Sequence, residues 1–163
     1  IATAINHEYS NILKLPKALV QKSAGVIPGL DGRKMSKSYN NYIPLFLPSK
    51  KLRKLVMKIT TDSLPPEAPK DPDSSNIFLL YSHFASQSEQ ESMREEYKKG
   101  KAWGHAKEEL FKKMDETLAG PREIYEELMA HPEKIQAVLD EATTRVRPKA
   151  KVVLDKVKAA IGV

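Results

Sequence analysis

The sequence contains no cysteine among its 163 residues, which excludes disulfide bonds and any metal site with cysteine ligands. Long apolar runs are also missing, and none approaches the length of a membrane-spanning helix. The first residues lack the basic start and apolar stretch of a secretory signal. We therefore expect a cytoplasmic protein with no membrane partner. A chain of this length can form one ordinary domain with a core.

Acidic residues are scarce in two stretches of the chain. Residues 31–60 contain eight Lys or Arg and one acidic residue, and residues 142–163 contain six and one. These two stretches together are more positive than the whole chain, whose formal net charge is +6, because the remaining residues are net acidic. Two separated basic regions predict two anionic contacts, for example a nucleotide and a nucleic-acid backbone.

Segments typical of strands are few and lie near the start. Residues 1–11 predict a helix, and Pro16 marks a break after it. Two short apolar pieces follow, residues 17–20 and 24–27, and we expect both to be buried strands. Nothing beyond them has the pattern of a strand.

Helices are predicted from residue 48 onwards. Ser49 is expected to be the N-cap of a helix that reaches about Thr60. The Pro-, Asp- and Ser-rich residues 61–75 predict a loop, and residues 76–85 an apolar helix. The motif Ser88-Glu89-Gln90-Glu91 predicts a capping box for a helix that ends near Lys99, before Gly100.

Two long apolar seams of helical period follow. The first begins near Trp103 and keeps its phase across Gly120-Pro121, which predicts one kinked helix or two nearly collinear ones. The second belongs to a helix starting at Pro132, and it consists of Ile135, Leu139, Ala142, Val146, Ala150, Val153, Val157 and Ile161. Pro148 lies off this seam and should bend the helix without disturbing its packing. We expect the seams to bury a core.

The stretch with the most distinctive chemistry is Pro28-Gly29-Leu30-Asp31-Gly32-Arg33-Lys34-Met35-Ser36-Lys37-Ser38. Its two glycines and one proline predict a mobile loop. Lys34 and Lys37 are compact charges on flexible stems that suit a polyphosphate, and Ser36 and Ser38 add short hydroxyl donors. An apolar Met35 between the lysines can anchor the loop while they point outward. By residue chemistry alone, a solvated basic loop remains the alternative.

The five residues 34–38 spell the Lys-Met-Ser-Lys-Ser signature of class I aminoacyl-tRNA synthetases. Beyond it, the whole chain resembles the C-terminal half of the bacterial tryptophanyl-tRNA synthetase family. The matching landmarks are residues 32–41, 59–62, 75–81, 99–107 and 138–142. The five-residue motif marks the class, and the later landmarks together mark the tryptophan enzymes over their tyrosine relatives.

The resemblance implies a mainly α chain. Residues 1–47 would be the end of a Rossmann-type α/β catalytic domain, and residues 48–163 a helical anticodon-binding domain. The implied activity is that of a tryptophan–tRNA ligase, which forms an adenylate of tryptophan with ATP and transfers it to tRNA-Trp. ATP would bring Mg²⁺ with it, and the complete enzyme is expected to be a homodimer. The chain alone should be inactive.

The resemblance also implies the site residues. Lys34 and Lys37 would be catalytic, and Met35, Ser36 and Ser38 would help them bind ATP and pyrophosphate. No metal ligand is assigned. For tRNA, the clustered basic residues of the last helix are the candidates, namely Arg145, Arg147, Lys149 and Lys151. A solvated basic face is their alternative.

Two features leave other functions open. None of the histidines (His7, His83, His105 and His131) lies in the His-x-Gly-His-type motif of the family, and the pocket for L-tryptophan would lie upstream of Ile1. The alternatives are a relative of tyrosyl-tRNA synthetase and a non-catalytic helical RNA-binding module. Trp103 could stack on a base, although packing at a helix start is the preferred interpretation.

Overall fold

The computed structural model describes residues 1–19 and 25–163, and this part of the chain is mainly helical. Its helices are α1 (Ala2–Glu8), α2 (Ser49–Val56), α3 (Asn76–Ser82), α4 (Gln87–Lys98), α5 (Trp103–Ala130) and α6 (Pro132–Ile161). The predicted mainly α fold is confirmed. Among the described residues, no helix is both long and apolar enough to cross a membrane.

The strand predictions are not confirmed where they can be compared. Residues 17–19 and 25–27 form no strand, while residues 20–24 lie outside the described part. An isolated antiparallel bridge joins Pro28 to Lys34. The apolar pieces are short and supply no partner strand, so their pattern did not settle their structure.

The chain divides into two compact units. One consists of residues 22–126, and the other of residues 1–21 together with residues 127–163. The long helix α5 belongs to both, because its last turn, from Glu127, lies in the second unit.

The unit of residues 22–126 holds the core. Its buried apolar side chains come from α2, α3, α4, α5 and the segments beside α2, and they are Ile43, Leu52, Val56, Ile59, Ile77, Phe78, Leu80, Tyr81, Met93, Tyr97, Ala106, Leu110, Met114 and Leu118. Tyr97 is fully buried, with Phe78 and Trp103 in edge-to-face contact at ring-centroid distances of 6.0 and 5.5 Å. Such aromatic pairs add to the stabilisation from buried area.

Helix α4 starts two residues earlier than the sequence predicted. The capping box consists of Ser86 and Glu89, not of Ser88 and Glu91: the Ser86 hydroxyl accepts the Glu89 N–H, and the Glu89 carboxylate accepts the Ser86 N–H. The repeated Ser-x-x-Glu spacing offered two registers. In the structure Ser86 has the extended backbone of an N-cap, whereas Ser88 lies inside the helix. Gly100 ends this region with φ +91°, and a Cβ there would lie 2.0 Å from the Glu67 carbonyl oxygen.

The loop of residues 61–75 is confirmed and is held by Lys70. This buried lysine donates its ammonium hydrogens to the carbonyls of Pro65, Pro66 and Ala68 at 2.9–3.0 Å. Trp103 packs beside it, with its ring centroid 5.4 Å from the Lys70 Nζ and its indole N–H donated to Asp62 at 2.8 Å. The packing interpretation of Trp103 is therefore confirmed.

Helix α2 differs from its prediction at both ends. Pro48 is the N-cap, and the Ser49 hydroxyl instead donates to the Asp115 carboxylate of α5 at 2.8 Å. A tertiary hydrogen bond has thus taken the side chain that the local pattern assigned to capping. The helix ends at Val56 rather than near Thr60, although Ile59 beyond it is still buried.

The two apolar seams differ in burial. The first is buried through Leu118, and Pro121 lies inside the single helix α5. The second lies on α6, which starts at Pro132 as predicted but contains no buried residue. The expectation that this seam buries a core is therefore wrong for this structure, because a helical period specifies a helix without supplying a surface to pack on.

Candidate active site

The candidate site is the loop of residues 28–41, which begins as a tight hairpin. The Gly29 N–H donates to the Arg33 carbonyl at 2.7 Å, and the Met35 N–H donates to the Ile27 carbonyl at 2.8 Å. Gly32 adopts φ +81°, a conformation that favours glycine. The turn residues therefore set where the chain enters the Lys-Met-Ser-Lys-Ser segment.

Asp31 and Arg33 stiffen the turn. The Asp31 carboxylate accepts a hydrogen bond from the Arg33 backbone N–H at 3.1 Å. It also forms an ion pair with the Arg33 guanidinium at 2.6 Å. The guanidinium also lies over the Tyr39 ring, 4.8 Å from the centroid. The hydrogen bond from Asn41, followed by the contacts with Arg33, holds the pKa of Asp31 below its ordinary value. Asp31 is thus an anion that is already paired within the loop.

Met35 points inward and the two lysines point outward, as the sequence predicted. The Met35 side chain is half-buried and packs against the core. Lys34 and Lys37 are both exposed, and neither forms an ion pair with any acidic residue that the structure describes. The Ser36 and Ser38 hydroxyls lie 2.8 Å apart. The loop therefore presents two unpaired ammonium groups and two hydroxyls on an anchored segment.

The sequence reasoning missed Asn41, which is 97% shielded from solvent, with 3% relative exposure. Its side-chain oxygen accepts the Ser36 N–H at 2.8 Å, and its side-chain nitrogen donates to Asp31 at 2.7 Å and to the Lys34 carbonyl at 3.2 Å. The partners settle which end of the amide is oxygen, because a backbone N–H needs an acceptor and two oxygens need donors. The only signal in the sequence was an asparagine that follows the motif. A single polar residue belongs to no periodic pattern, so the sequence does not reveal that it is buried.

A cavity of about 460 Å³ lies beside the loop. Leu30 and Tyr42 contribute to its wall, and Lys51, Lys54 and Lys58 of the region around α2 contribute ammonium-bearing side chains. These lysines are exposed. The positive charge near the loop therefore exceeds that of Lys34 and Lys37 alone.

The four predicted tRNA-contacting residues lie on α6 and are all exposed. A helix turns by about 100° per residue, so residues two apart point to different sides. Arg145 and Lys149 form one pair a turn apart, and Arg147 and Lys151 form another. The two pairs flank the apolar seam on opposite sides, so α6 does not gather the four charges on one face. Pro148 lies off the seam, as expected.

The part of the chain that the structure describes contains no group of three or more His, Cys, Asp or Glu residues able to hold a metal ion. His131 contacts a single carboxylate, that of Glu133, at 3.0 Å. No described residues therefore identify a protein-bound metal centre.

Comparison with known proteins gives one family. The sequence model of the family described as tRNA synthetases class I (W and Y) matches residues 1–119. The tryptophan–tRNA ligase of Pseudomonas aeruginosa is 43% identical over 165 residues, which cover 99% of this chain and 37% of that protein. The tryptophan–tRNA ligase of Neisseria meningitidis is 40% identical over 163 residues, which cover 100% of this chain and 48% of that protein.

Solved structures agree with the sequence matches. The tryptophanyl-tRNA synthetase of Campylobacter jejuni complexed with ADP and tryptophan superimposes with a TM-score of 0.83 at 36% identity, covering 99% of this chain and 51% of that one. The chain thus spans between about a third and a half of the length of the relatives it matches. The resemblance to bacterial tryptophanyl-tRNA synthetases is confirmed. With its signature loop intact and a family match over residues 1–119, the chain belongs to the class I tRNA synthetases of the tryptophan and tyrosine type.

Proposed function

We propose that the chain is the C-terminal part of a tryptophan–tRNA ligase and supplies the pyrophosphate-binding half of its activation site. The observation that carries the proposal is the loop of residues 28–41, which leaves Lys34 and Lys37 exposed and unpaired while Met35 is anchored in the core. Lysines without acidic partners in the protein are available to pair with an incoming polyphosphate.

The proposed reaction begins with attack by a tryptophan carboxylate oxygen on the α-phosphorus of ATP. A new phosphorus–oxygen bond forms, the bond to the β-phosphate oxygen breaks, and pyrophosphate leaves with the bonding electrons. Negative charge therefore grows on the departing oxygens. Lys34 and Lys37 meet that charge, and Ser36 and Ser38 donate hydrogen bonds to the same oxygens. Mg²⁺ enters with ATP in this scheme.

In the second proposed step, a ribose hydroxyl of tRNA-Trp attacks the carbonyl carbon of the adenylate. A tryptophanyl ester forms, and AMP and the hydroxyl proton leave. We propose α6 as the element that docks the tRNA. Its support is the exposure of Arg145, Arg147, Lys149 and Lys151, which have no described acidic partner within an ion-pair distance. The homodimer, the domain boundary at residue 47 and the cytoplasmic location stay predictions.

Replacement of the lysines tests the proposal in the full-length protein that carries this chain. Lys34→Ala or Lys37→Ala should slow adenylate formation by about 100-fold, because the lost charge acts mainly in the transition state. Tryptophan affinity should change little. The matched control is Lys112→Ala, which removes an exposed lysine of α5. Single-turnover activation rates of the three variants decide: unchanged rates in both loop variants would overturn the assignment.

A further inference from the structure

We infer that Asn41 is a positioning residue for amino-acid activation: it holds the backbone on both sides of Met35, so that Lys34 and Lys37 emerge from a fixed segment. The inference rests on the proposed function of the loop. It assigns a role to a residue that contacts neither lysine side chain in the structure and that lies outside the five-residue motif.

The hydrogen bonds of Asn41 reach three separate parts of the loop. One goes to Asp31 in the turn, one to the Lys34 carbonyl, and one comes from the Ser36 N–H. The Asn41 backbone carbonyl also accepts the Leu30 N–H at 2.8 Å. Both side-chain N–H donors are therefore used, and the side-chain oxygen has a partner.

The chemistry of the side chain leaves few substitutes. An aspartate could still accept the Ser36 N–H, but it has no hydrogen to donate and would face the Asp31 carboxylate. A leucine would leave the Ser36 N–H, the Lys34 carbonyl and one Asp31 oxygen without this partner, and polar groups left unpaired in a buried place are costly. Asn41 is thus suited to satisfy two backbone groups that flank Met35.

Gly29 supports the same interpretation from outside the motif. A Cβ at Gly29 would lie 2.5 Å from both the side-chain amide and the backbone oxygen of Asn41. No real Cβ makes such contacts, so an alanine there would have to displace Asn41. At Gly25, by contrast, a Cβ would have no described atom within 4 Å.

The consequence for catalysis follows from how sharply rates depend on placement. A displacement of about 1 Å in a reacting or stabilising group can cost on the order of 100-fold in rate. Two lysines on a segment that can move would spend less time where pyrophosphate charge develops. Loss of Asn41 should therefore reduce the activation rate while the tryptophan pocket, formed elsewhere, keeps its affinity.

The test combines a structural and a kinetic measurement in the full-length protein. In Asn41→Ala the Ser36 amide should lose its protection against hydrogen exchange, and kcat of tryptophan-dependent pyrophosphate exchange should fall by about 10- to 100-fold. The KM for tryptophan should stay within about twofold, since ground-state binding of the amino acid does not depend on Asn41. Gly29→Ala should give the same pattern by displacing Asn41 while leaving the identity of residue 41 unchanged.

Two matched controls and one rescue separate positioning from general damage. Asn11→Ala removes an exposed asparagine outside the loop, and Gly25→Ala adds a methyl group in open space; both should retain wild-type kcat. The double variant Asp31→Asn with Asn41→Asp exchanges the two side chains. It restores the hydrogen bond between positions 31 and 41, with the amide donor now at residue 31 and the carboxylate acceptor at residue 41. It should therefore be faster than Asn41→Asp alone.

The outcomes distinguish this inference from the proposed function. If Asn41→Ala frees the Ser36 amide but kcat stays within about twofold of wild type, positioning by Asn41 is refuted while the roles of Lys34 and Lys37 stand. Equal losses in kcat and in tryptophan binding would also refute it, because they indicate general damage. If Lys34→Ala and Lys37→Ala both leave activation unchanged as well, the proposed function and this inference fall together.

Discussion

Helices α5 and α6 carry apolar seams of the same period but differ in what covers them. In the first half of α5 the seam residues are buried, and Leu110 has no exposed area. On α6 none of the seam side chains is buried, and Leu139 is 53% exposed. The two leucines are alike in type and in helical setting. Period therefore identifies a helix, whereas burial depends on which other segments reach it.

The contrast extends to the polar contacts. Around α5, ion pairs and hydrogen bonds link distant segments: Lys113 pairs with Glu89 at 2.7 Å, and Arg53 pairs with Glu108 at 2.7 Å. The ion pair of Lys134, near the start of α6, reaches Glu127 at 2.5 Å, only seven residues away. The α5 region is therefore held by tertiary contacts, and α6 mainly by its own helical hydrogen bonds.

The largest expected effect is a difference between two leucine truncations. Leu110→Ala should lower the free energy of unfolding by about 2–5 kcal/mol, because it removes a fully buried side chain and leaves a cavity. Leu139→Ala removes the same atoms from an exposed position and should cost less than about 1 kcal/mol. Urea unfolding of the two variants measures both changes. Equal losses would show that α6 is packed as tightly as α5.

The next largest effect concerns Tyr97 and the exclusion of water from the core around α5. Burial raises the pKa of Tyr97 to about 12, against about 10 in an unfolded chain. The neutral phenol is thus favoured by folding, so its contribution to stability is present below pH 10 and is lost as the pH rises towards 12. Tyr97→Phe should make stability fall less steeply between these pH values.

Measurement of unfolding by urea at pH 8, 10 and 11 checks this expectation. The variant loses the hydrogen bond to Ser75, so it should be less stable than wild type at pH 8 and closer to it at pH 11. All other ionisable groups are common to both proteins, so their contributions cancel in the comparison. Parallel pH profiles would mean that Tyr97 is accessible to water.

The smallest expected effect concerns the binding of tRNA by the exposed helix α6. Replacement of Arg145 and Lys149 by Gln, or of Arg147 and Lys151 by Gln, should weaken tRNA binding in the full-length protein. The salt slope should flatten by about 0.7 for each single-strand phosphate that is no longer neutralised. Because the two pairs lie on opposite sides of the seam, the variant with the larger loss identifies the side of α6 that faces the RNA. Unchanged affinity and slope in both variants would leave α6 without an RNA-binding role.

The structural features that the sequence predicted correctly depend on residues that are neighbours along the chain. The signature loop, the outward lysines around an inward Met35, the loop of residues 61–75 and the start of α6 at Pro132 all follow from local chemistry. The missed features depend on distant groups. Asn41 acts through hydrogen bonds to groups five to ten residues back, and Ser49 bonds a carboxylate 66 residues away. The capping box was predicted two residues too late, because two Ser-x-x-Glu registers overlap and only the fold selects one.

Amino-acid-dependent exchange of pyrophosphate into ATP by the full-length protein is the decisive measurement for the proposed activity. The family match covers tryptophan and tyrosine enzymes alike, whereas the similar proteins named above are tryptophan–tRNA ligases. We predict exchange that depends on tryptophan, is absent with tyrosine, and falls by about 100-fold in Lys34→Ala. Exchange that depends on tyrosine, or none with tryptophan from a folded protein, would refute the proposed function.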